Sequence, residues 1–321
     1  MKNKVFFISA LVAFCSLAFY LVNVNHLKKQ EVQIYQGQST KTIKSSSRQS
    51  SVRSSLSSVK SKVVRKKSKK ATTNIKIAEG STQKIAQEIK NSLGNQSQPY
   101  QVSYVDLDTG KYARVTNTNQ QSLPLKDSLR FYILLAYQSA VKNNKLHSSR
   151  LYKIKKSDQV GKTDSMLRTG INYSYAYIRD MMIRHNSATA IKILVDKLEL
   201  HNINAVAKKF GAENTTVEKV DNKLAGSSSA EDFTTVIKNL YQGKVLGVTH
   251  DTQIIGYMLN DANKGLSTQI SGTSYAISGS LGSIALVETR GKNYVIAAVN
   301  EKEGYNFGTL GKNINQVVHK R

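Results

Sequence analysis

The sequence predicts an α+β fold over residues 75–321: a three-layer α/β/α body whose antiparallel sheet is built from both ends of the domain, with helices flanking it and an all-helical subdomain between the two halves. Three observations carry this. Strand-like alternation and turn residues occur near residues 100–115 and again near 274–300. Helical apolar periodicity fills the middle. A last helical segment closes the chain.

Ile85 to Leu93 reads as the first helix, and Tyr100 to Asp106 as a strand in which Gln101 and Ser103 alternate with Val102 and Tyr104. Asp108-Thr109-Gly110 supplies a turn before Tyr112 to Val115, which makes a hairpin. Leu129, Ile133, Ala136, Tyr137 and Ala140 share a face of a long amphipathic helix, and Ile191, Leu194, Val195 and Leu198 share a face of another. The helical pattern continues through Asn202 to Phe210, Ala230 to Tyr241 and Asp251 to Leu259, with Ser229 ahead of Asp232 as a capping box. Ser274 to Gly279, Ser283 to Glu288 and Tyr294 to Asn300 return to strand, with a turn at 290–293, and Gly311 to Lys320 is the closing helix. About 245 residues suffice for one sizeable core.

The rest of the chain has a different composition. Residues 5–24 are uncharged and apolar, and about 20 such residues make roughly 30 Å of helix, enough to cross a bilayer. Lys2 and Lys4 would also suit a cleaved signal peptide, but no small-x-small cleavage site follows, so residues 1–27 are read as an uncleaved anchor. Cys15, the single cysteine, lies inside that stretch, so neither a disulfide nor a thiolate metal site is available to the domain. No metal or other cofactor is expected.

Residues 28–74 form a basic, serine-rich tether; 28–70 hold 13 Lys or Arg against the single acid Glu31. As a flexible coil it would span roughly 35–40 Å r.m.s.. A net charge of +26 raises the question of nucleic acid. With no recognised nucleic-acid motif and an anchoring segment present, anionic wall polymers or lipid headgroups are the expected partners.

Three short motifs carry the chemistry. Asp127-Ser128-Leu129-Arg130 opens the long helix, Arg184-His185-Asn186 begins 57 residues after Asp127, and Ile277-Ser278-Gly279 lies in a C-terminal strand. In order, spacing and setting they resemble S-x-x-K, S-D-N and K-T-G, the motifs of class A β-lactamases and other penicillin-recognising serine hydrolases. Met181-Met182-Ile183 and Ala230-Glu231-Asp232-Phe233 extend the resemblance over about residues 75–321. It implies the β-lactamase-like fold and an extracellular domain acting on peptidoglycan or β-lactams, whereas the positive-inside rule would keep so basic a flank in the cytoplasm. The localisation expected on this basis is a single-pass cell-membrane protein with its C-terminal domain outside.

Every motif departs from the family pattern. Aligning Arg130 with the family lysine puts Asp127 where the nucleophilic serine would stand. A guanidinium stays protonated at physiological pH and cannot serve as base. The alternative register makes Ser128 the nucleophile, with Phe131 three residues on and no proton acceptor there. Asp127 can also be read as a first-turn acid paired with Arg130 at i,i+3.

Arg184 and His185 replace the serine and aspartate of the second motif, and only Asn186 matches; His185 could act as a base near neutral pH. Ile277 replaces the cationic lysine of the third motif, whereas Ser278 and Gly279 keep the hydroxyl and the small residue. The family's glutamate-bearing loop corresponds to Asn214–Asn222, where Glu218 stands without a nearby asparagine and reads as a salt-bridged surface residue. Ser81-Thr82-Gln83-Lys84, placed ahead of the opening strand, and Ser139-Ala140-Val141-Lys142 fit S-x-x-K literally but lie in the wrong places. The reading is an envelope pseudoenzyme that binds peptidoglycan or a partner protein; the alternative is an active β-lactam hydrolase using Ser128.

Overall fold

The apolar runs at the two ends of the domain pair with each other. In the computed structural model, which describes residues 75–320 apart from 95, 162–164, 222 and 290, they form a six-stranded antiparallel sheet. Its strands are β1 (Lys76–Ile77), β2 (Tyr100–Asp106), β3 (Tyr112–Thr116), β9 (Thr273–Ser278), β10 (Gly282–Thr289) and β11 (Lys292–Asn300), in the order β1-β3-β2-β11-β10-β9. The central pairing sets Tyr100 opposite Asn300 and Asp106 opposite Tyr294.

Both faces of this sheet are covered, so its central strands are apolar almost throughout. Along β11, Val295, Ala297 and Val299 join one core while Tyr294, Ile296 and Ala298 join the other. The outer core is closed by α1 (Gln83–Leu93), through Ile85, Ile89 and Leu93, and by α8 (Phe307–His319), through Leu310 and Ile314. The inner core meets the helices of the middle segment. The three-layer α+β arrangement expected from the sequence is therefore present. The closing helix starts four residues earlier than its apolar pattern suggested, at the Asn306 cap, whose Oδ1 accepts from Thr309 N at 3.1 Å.

The middle segment contains α2 (Arg130–Lys142), α3 (Tyr175–His185), α4 (Ala188–Leu198), α5 (Leu200–Lys209), α6 (Ala230–Tyr241) and α7 (Val248–Met258). Two small sheets accompany them. One has the order β4-β8-β7, from Leu123–Pro124, Lys223–Ser228 and Thr216–Val220; the other is a ribbon of β5 (Leu151–Lys153) and β6 (Asn172–Ser174). The segment Asn214–Asn222 thus holds strand β7, and Glu218 is an exposed residue of it paired with Ala225.

Helix α2 is not amphipathic: every residue from Arg130 to Gln138 is buried, because Phe131 to Tyr137 is an unbroken apolar run that other elements surround on all sides. Ser81 follows β1 and precedes β2, at the start of α1, while Ser139 to Lys142 close α2.

Ser229 caps α6, its Oγ accepting from Asp232 N at 2.9 Å. Ser229→Ala is expected to cost about 1 kcal/mol, read as a lower urea midpoint with unchanged slope.

The anchor read over 1–27, including Cys15, and the tether over 28–74 lie outside the described residues. Among the described residues no helix is long and apolar enough to cross a membrane.

Candidate functional site

A single turn of 3-10 helix, Asp127–Leu129, leads into α2 and places Arg130 at its first position. A one-residue step in such a turn sends successive side chains in different directions. Asp127 is part-exposed, whereas Ser128 is fully buried and its Oγ has no hydrogen-bond partner. Arg130 is 1% exposed, and its guanidinium is where the three motifs meet.

One terminal nitrogen, Nη1, donates to the Asp127 carbonyl at 2.9 Å and to Asn186 Oδ1 at 3.3 Å. The other, Nη2, donates to the Ser278 carbonyl at 2.9 Å and to Asp261 Oδ2 at 2.5 Å. The expected i,i+3 pairing with the Asp127 carboxylate is replaced by this arrangement: Arg130 takes the Asp127 backbone oxygen, and its ion pair is with Asp261. The reason is geometric. From the first position of α2 the side chain runs inward, where a buried cation requires a buried anion.

Asp261 follows α7 and is 3% exposed. Besides Arg130 it accepts from Ser278 N at 2.9 Å and Asn263 N at 3.0 Å, so both carboxylate oxygens are engaged. Asp261 therefore couples the end of β9 to the start of α2. It was not among the residues singled out from the sequence.

Asn186 reaches the site through a tight corner between two helices. It terminates α3 in the left-handed conformation, φ 50° and ψ 37°, where asparagine is tolerated, and Ser187 then caps α4 by accepting from Ala190 N at 3.0 Å. Arg184 and His185, in the last turn of α3, are exposed.

On the opposite wall, Ile277 is fully buried in the inner core, and Ser278 is buried with an unpartnered Oγ. Gly279 begins a tight turn, its N–H bonding the Gly282 carbonyl at 2.8 Å. A Cβ at Gly279 would come within 2.8 Å of Ser128 N and 2.9 Å of Asp127 Cβ, so this backbone lies directly against the 3-10 turn.

Lys126 and Glu303 form an ion pair at the rim, and Ser280 Oγ donates to the same Glu303 oxygen at 3.1 Å. Hydrogen bonding from Lys126 holds the Glu303 carboxyl below its usual range.

Thus Asp127, Arg130, Asn186, Ser278 and Gly279 converge; Ile277 sits behind them in the core and Arg184 and His185 face solvent. Chemically, the centre holds a permanently charged group with both terminal nitrogens occupied, and a guanidinium carries no acceptor. Beside it, Ser278, Gly279 and Ser280 line a cleft of about 450 Å³ with Asn263, Gln269, Tyr305 and Asn306. Among the described residues no group of three or more His, Cys, Asp or Glu is placed to hold a metal ion.

This sheet between two helical layers, with three motif positions gathered where α2, α3 and β9 meet, defines a penicillin-recognising serine hydrolase fold. The model of the β-lactamase enzyme family matches residues 84–318, and the chain belongs to that family. No curated protein sequence matches the chain.

Among solved structures, it is similar to a β-lactamase from Sphaerobacter thermophilus, at 13% identity over 73% of this chain and 95% of that one, with TM-score 0.64. It is also similar to PBP-A, at 18% identity over 74% and 95% with TM-score 0.63. The TLA-3 extended-spectrum β-lactamase aligns at 14% identity over 74% and 98% with TM-score 0.65. At these identities the likeness is one of fold.

Proposed function

We propose that the chain is a pseudoenzyme of the cell envelope, held at the membrane by residues 5–24 with its β-lactamase-like domain outside, binding a peptidoglycan fragment or a partner protein without turning it over. The observation that carries the reading is the Arg130–Asp261 pair. A serine in this fold becomes a nucleophile when a neighbouring base removes its proton. Here the neighbouring group is a guanidinium engaged on both terminal nitrogens, and the preceding motif position is a carboxylate, Asp127.

The alternative nucleophile, Ser128, is fully buried against the Gly279–Gly282 turn, and a Cβ at Gly282 would lie 2.9 Å from its Oγ. An attacking hydroxyl must instead present itself to the substrate carbonyl at about 3–3.5 Å. The neutral polar lining of the cleft beside Ser280 suits a hydroxyl- and amide-bearing wall fragment, and the basic sequence of residues 28–70 suits anionic wall polymers.

A mutant of PBP-A is described as an acyl-enzyme complex with penicillin G, and that mutant provides the positive control. Incubated with a fluorescent penicillin and read by intact mass, the full chain is expected to gain no acyl adduct where the PBP-A mutant does, and to leave a chromogenic cephalosporin unhydrolysed. An adduct or turnover that disappears in Ser128→Ala would overturn the reading and favour the active hydrolase.

A further inference from the structure

We propose that the groove along α8, from the motif cleft to the end of the helix, is a binding track for a linear, hydroxyl-bearing polyanion of the wall-polymer kind. The sequence of α8 sets this up. Phe307, Leu310, Gly311 and Ile314 are buried toward the outer core. Lys312, Asn315, Gln316, His319 and Lys320, at i, i+3, i+4, i+7 and i+8, form a second stripe with no apolar member.

That polar stripe lines an open depression of about 610 Å³, with Gln269 and Ser271 on the opposite wall. His319 has Nδ1 2.8 Å from the Asn315 carbonyl oxygen and Nε2 3.1 Å from the Thr289 carbonyl oxygen, which fixes the end of α8 against β10. The depression adjoins the motif cleft. Gln269 lines both, and a Cβ at Gly308 would stand 3.4 Å from its Nε2. Asn306 belongs to the first and Lys320 to the second, a span of roughly 20 Å at 1.5 Å per residue. A ligand that fills both is therefore a chain and not a compact molecule.

The two ends differ in charge. The motif cleft is lined by neutral residues, the second depression carries Lys312 and Lys320, and among the described residues no Asp or Glu lines either. Lys84 Nζ donates to the Lys320 carbonyl at 2.9 Å and brings a third cation to that end. None of these three lysines forms an ion pair among the described residues. The exposed side-chain amides of Gln269 and Gln316 likewise have no hydrogen-bond partner there, so groups that can both donate to and accept from hydroxyls stand beside free cations.

That mixture selects the ligand. A bilayer surface gains by burying apolar side chains, and none lines the cationic depression. A single-stranded nucleic acid stacks its bases on aromatic platforms, and no Phe, Tyr or Trp lines it either. A hydroxylated polyanion uses the amides and the lysines together. Calling it a wall polymer rests on the envelope reading above; the binding itself does not, and acylation by penicillin tests only that earlier reading.

The test is lysine footprinting of the purified full chain in non-ionic detergent, with an amine-acetylating reagent and peptide mass spectrometry, in the presence of short poly(glycerol phosphate). Peptide-level readout keeps the lysines of residues 28–70 separate. At a polymer concentration about ten times its Kd, acetylation of Lys312 and Lys320 is expected to slow roughly tenfold, by one plus the ratio of concentration to Kd. Lys209 and Lys244, exposed on other elements, should keep their rates.

The double variant Gln269→Ala/Gln316→Ala retains every cation and is expected to raise the polymer concentration for half-protection on the order of tenfold, through two lost hydrogen bonds. No protection of Lys312 and Lys320, or equal protection of Lys209 and Lys244, would overturn the proposal. So would equal protection by polyglutamate or oligothymidylate at matched charge, or an unchanged half-protection point in the double variant, since either would make charge alone the determinant.

Discussion

Asp261→Ala is expected to destabilise the domain by about 3–5 kcal/mol, the cost of stripping a buried cation of its counter-ion. Arg130 is 1% exposed, so no water replaces the lost carboxylate, and Ser278 N and Asn263 N lose their acceptor in the same step. For a domain of this size each kcal/mol moves the melting temperature by roughly 2–4 °C, so thermal melting should fall by on the order of 10 °C.

The double variant Arg130→Met/Asp261→Leu should lose less than the single one, because it removes both desolvated charges together. A melting temperature for Asp261→Ala close to that of the parent would mean that the guanidinium is solvated or paired elsewhere. The pair would then not be what holds the three motifs together.

Gly311→Ala is expected to cost about 2–3 kcal/mol, although alanine is the better helix former by about 1 kcal/mol. Gly311 lies in α8 where the helix crosses the 3-10 turn Gly265–Ser267, and a Cβ there would sit 1.7 Å from the Leu266 carbonyl oxygen. The obstacle is backbone and cannot rotate aside, so overpacking outweighs propensity. The contrasting variant is Gly256→Ala in α7, where an added Cβ meets nothing within 4 Å. There propensity acts alone, and a gain of about 0.5–1 kcal/mol is expected. Urea unfolding of both variants checks the signs; a stabilised Gly311→Ala would show that α8 and the 3-10 turn are not in close contact.

Five of the sheet's six strands were legible because their pattern is local; the two-residue β1, Lys76–Ile77, is too short to carry one. The alternation from Tyr100 to Asp106 and the apolar run from Tyr294 to Asn300 mark strands without knowledge of their neighbours, and Ser229 and Asp232 mark a helix start. Elements whose meaning is set at a distance were not.

The run Phe131 to Tyr137 looks like one apolar face with extras until the surrounding helices show that it has no solvent face. The β7–β8 hairpin carries the charged residues Glu218, Lys219 and Lys223 and only Val217 and Ser228 fully buried, so neither a strand period nor a core pattern identifies it. At the site, the motif positions Asp127, Arg130, Asn186, Ser278 and Gly279 could be named through the resemblance to the family's three motifs. Asp261 could not: its role comes from a contact with Arg130 across 131 positions, and an aspartate after a helix carries no mark of that. From the sequence Arg130 was paired with Asp127 three residues before it, and nothing there pointed to a distant counter-ion.

The pairing of Tyr100 with Asn300 also bears on how the protein is made. Strand β2 emerges from the ribosome some 200 residues before its central neighbour, about 10–40 s at ordinary elongation rates. Throughout that interval one side of β2 presents open amides and carbonyls flanked by Val102, Tyr104 and Val105, a template for the wrong strand. A nascent chain with this topology keeps that edge open until its last strands are made.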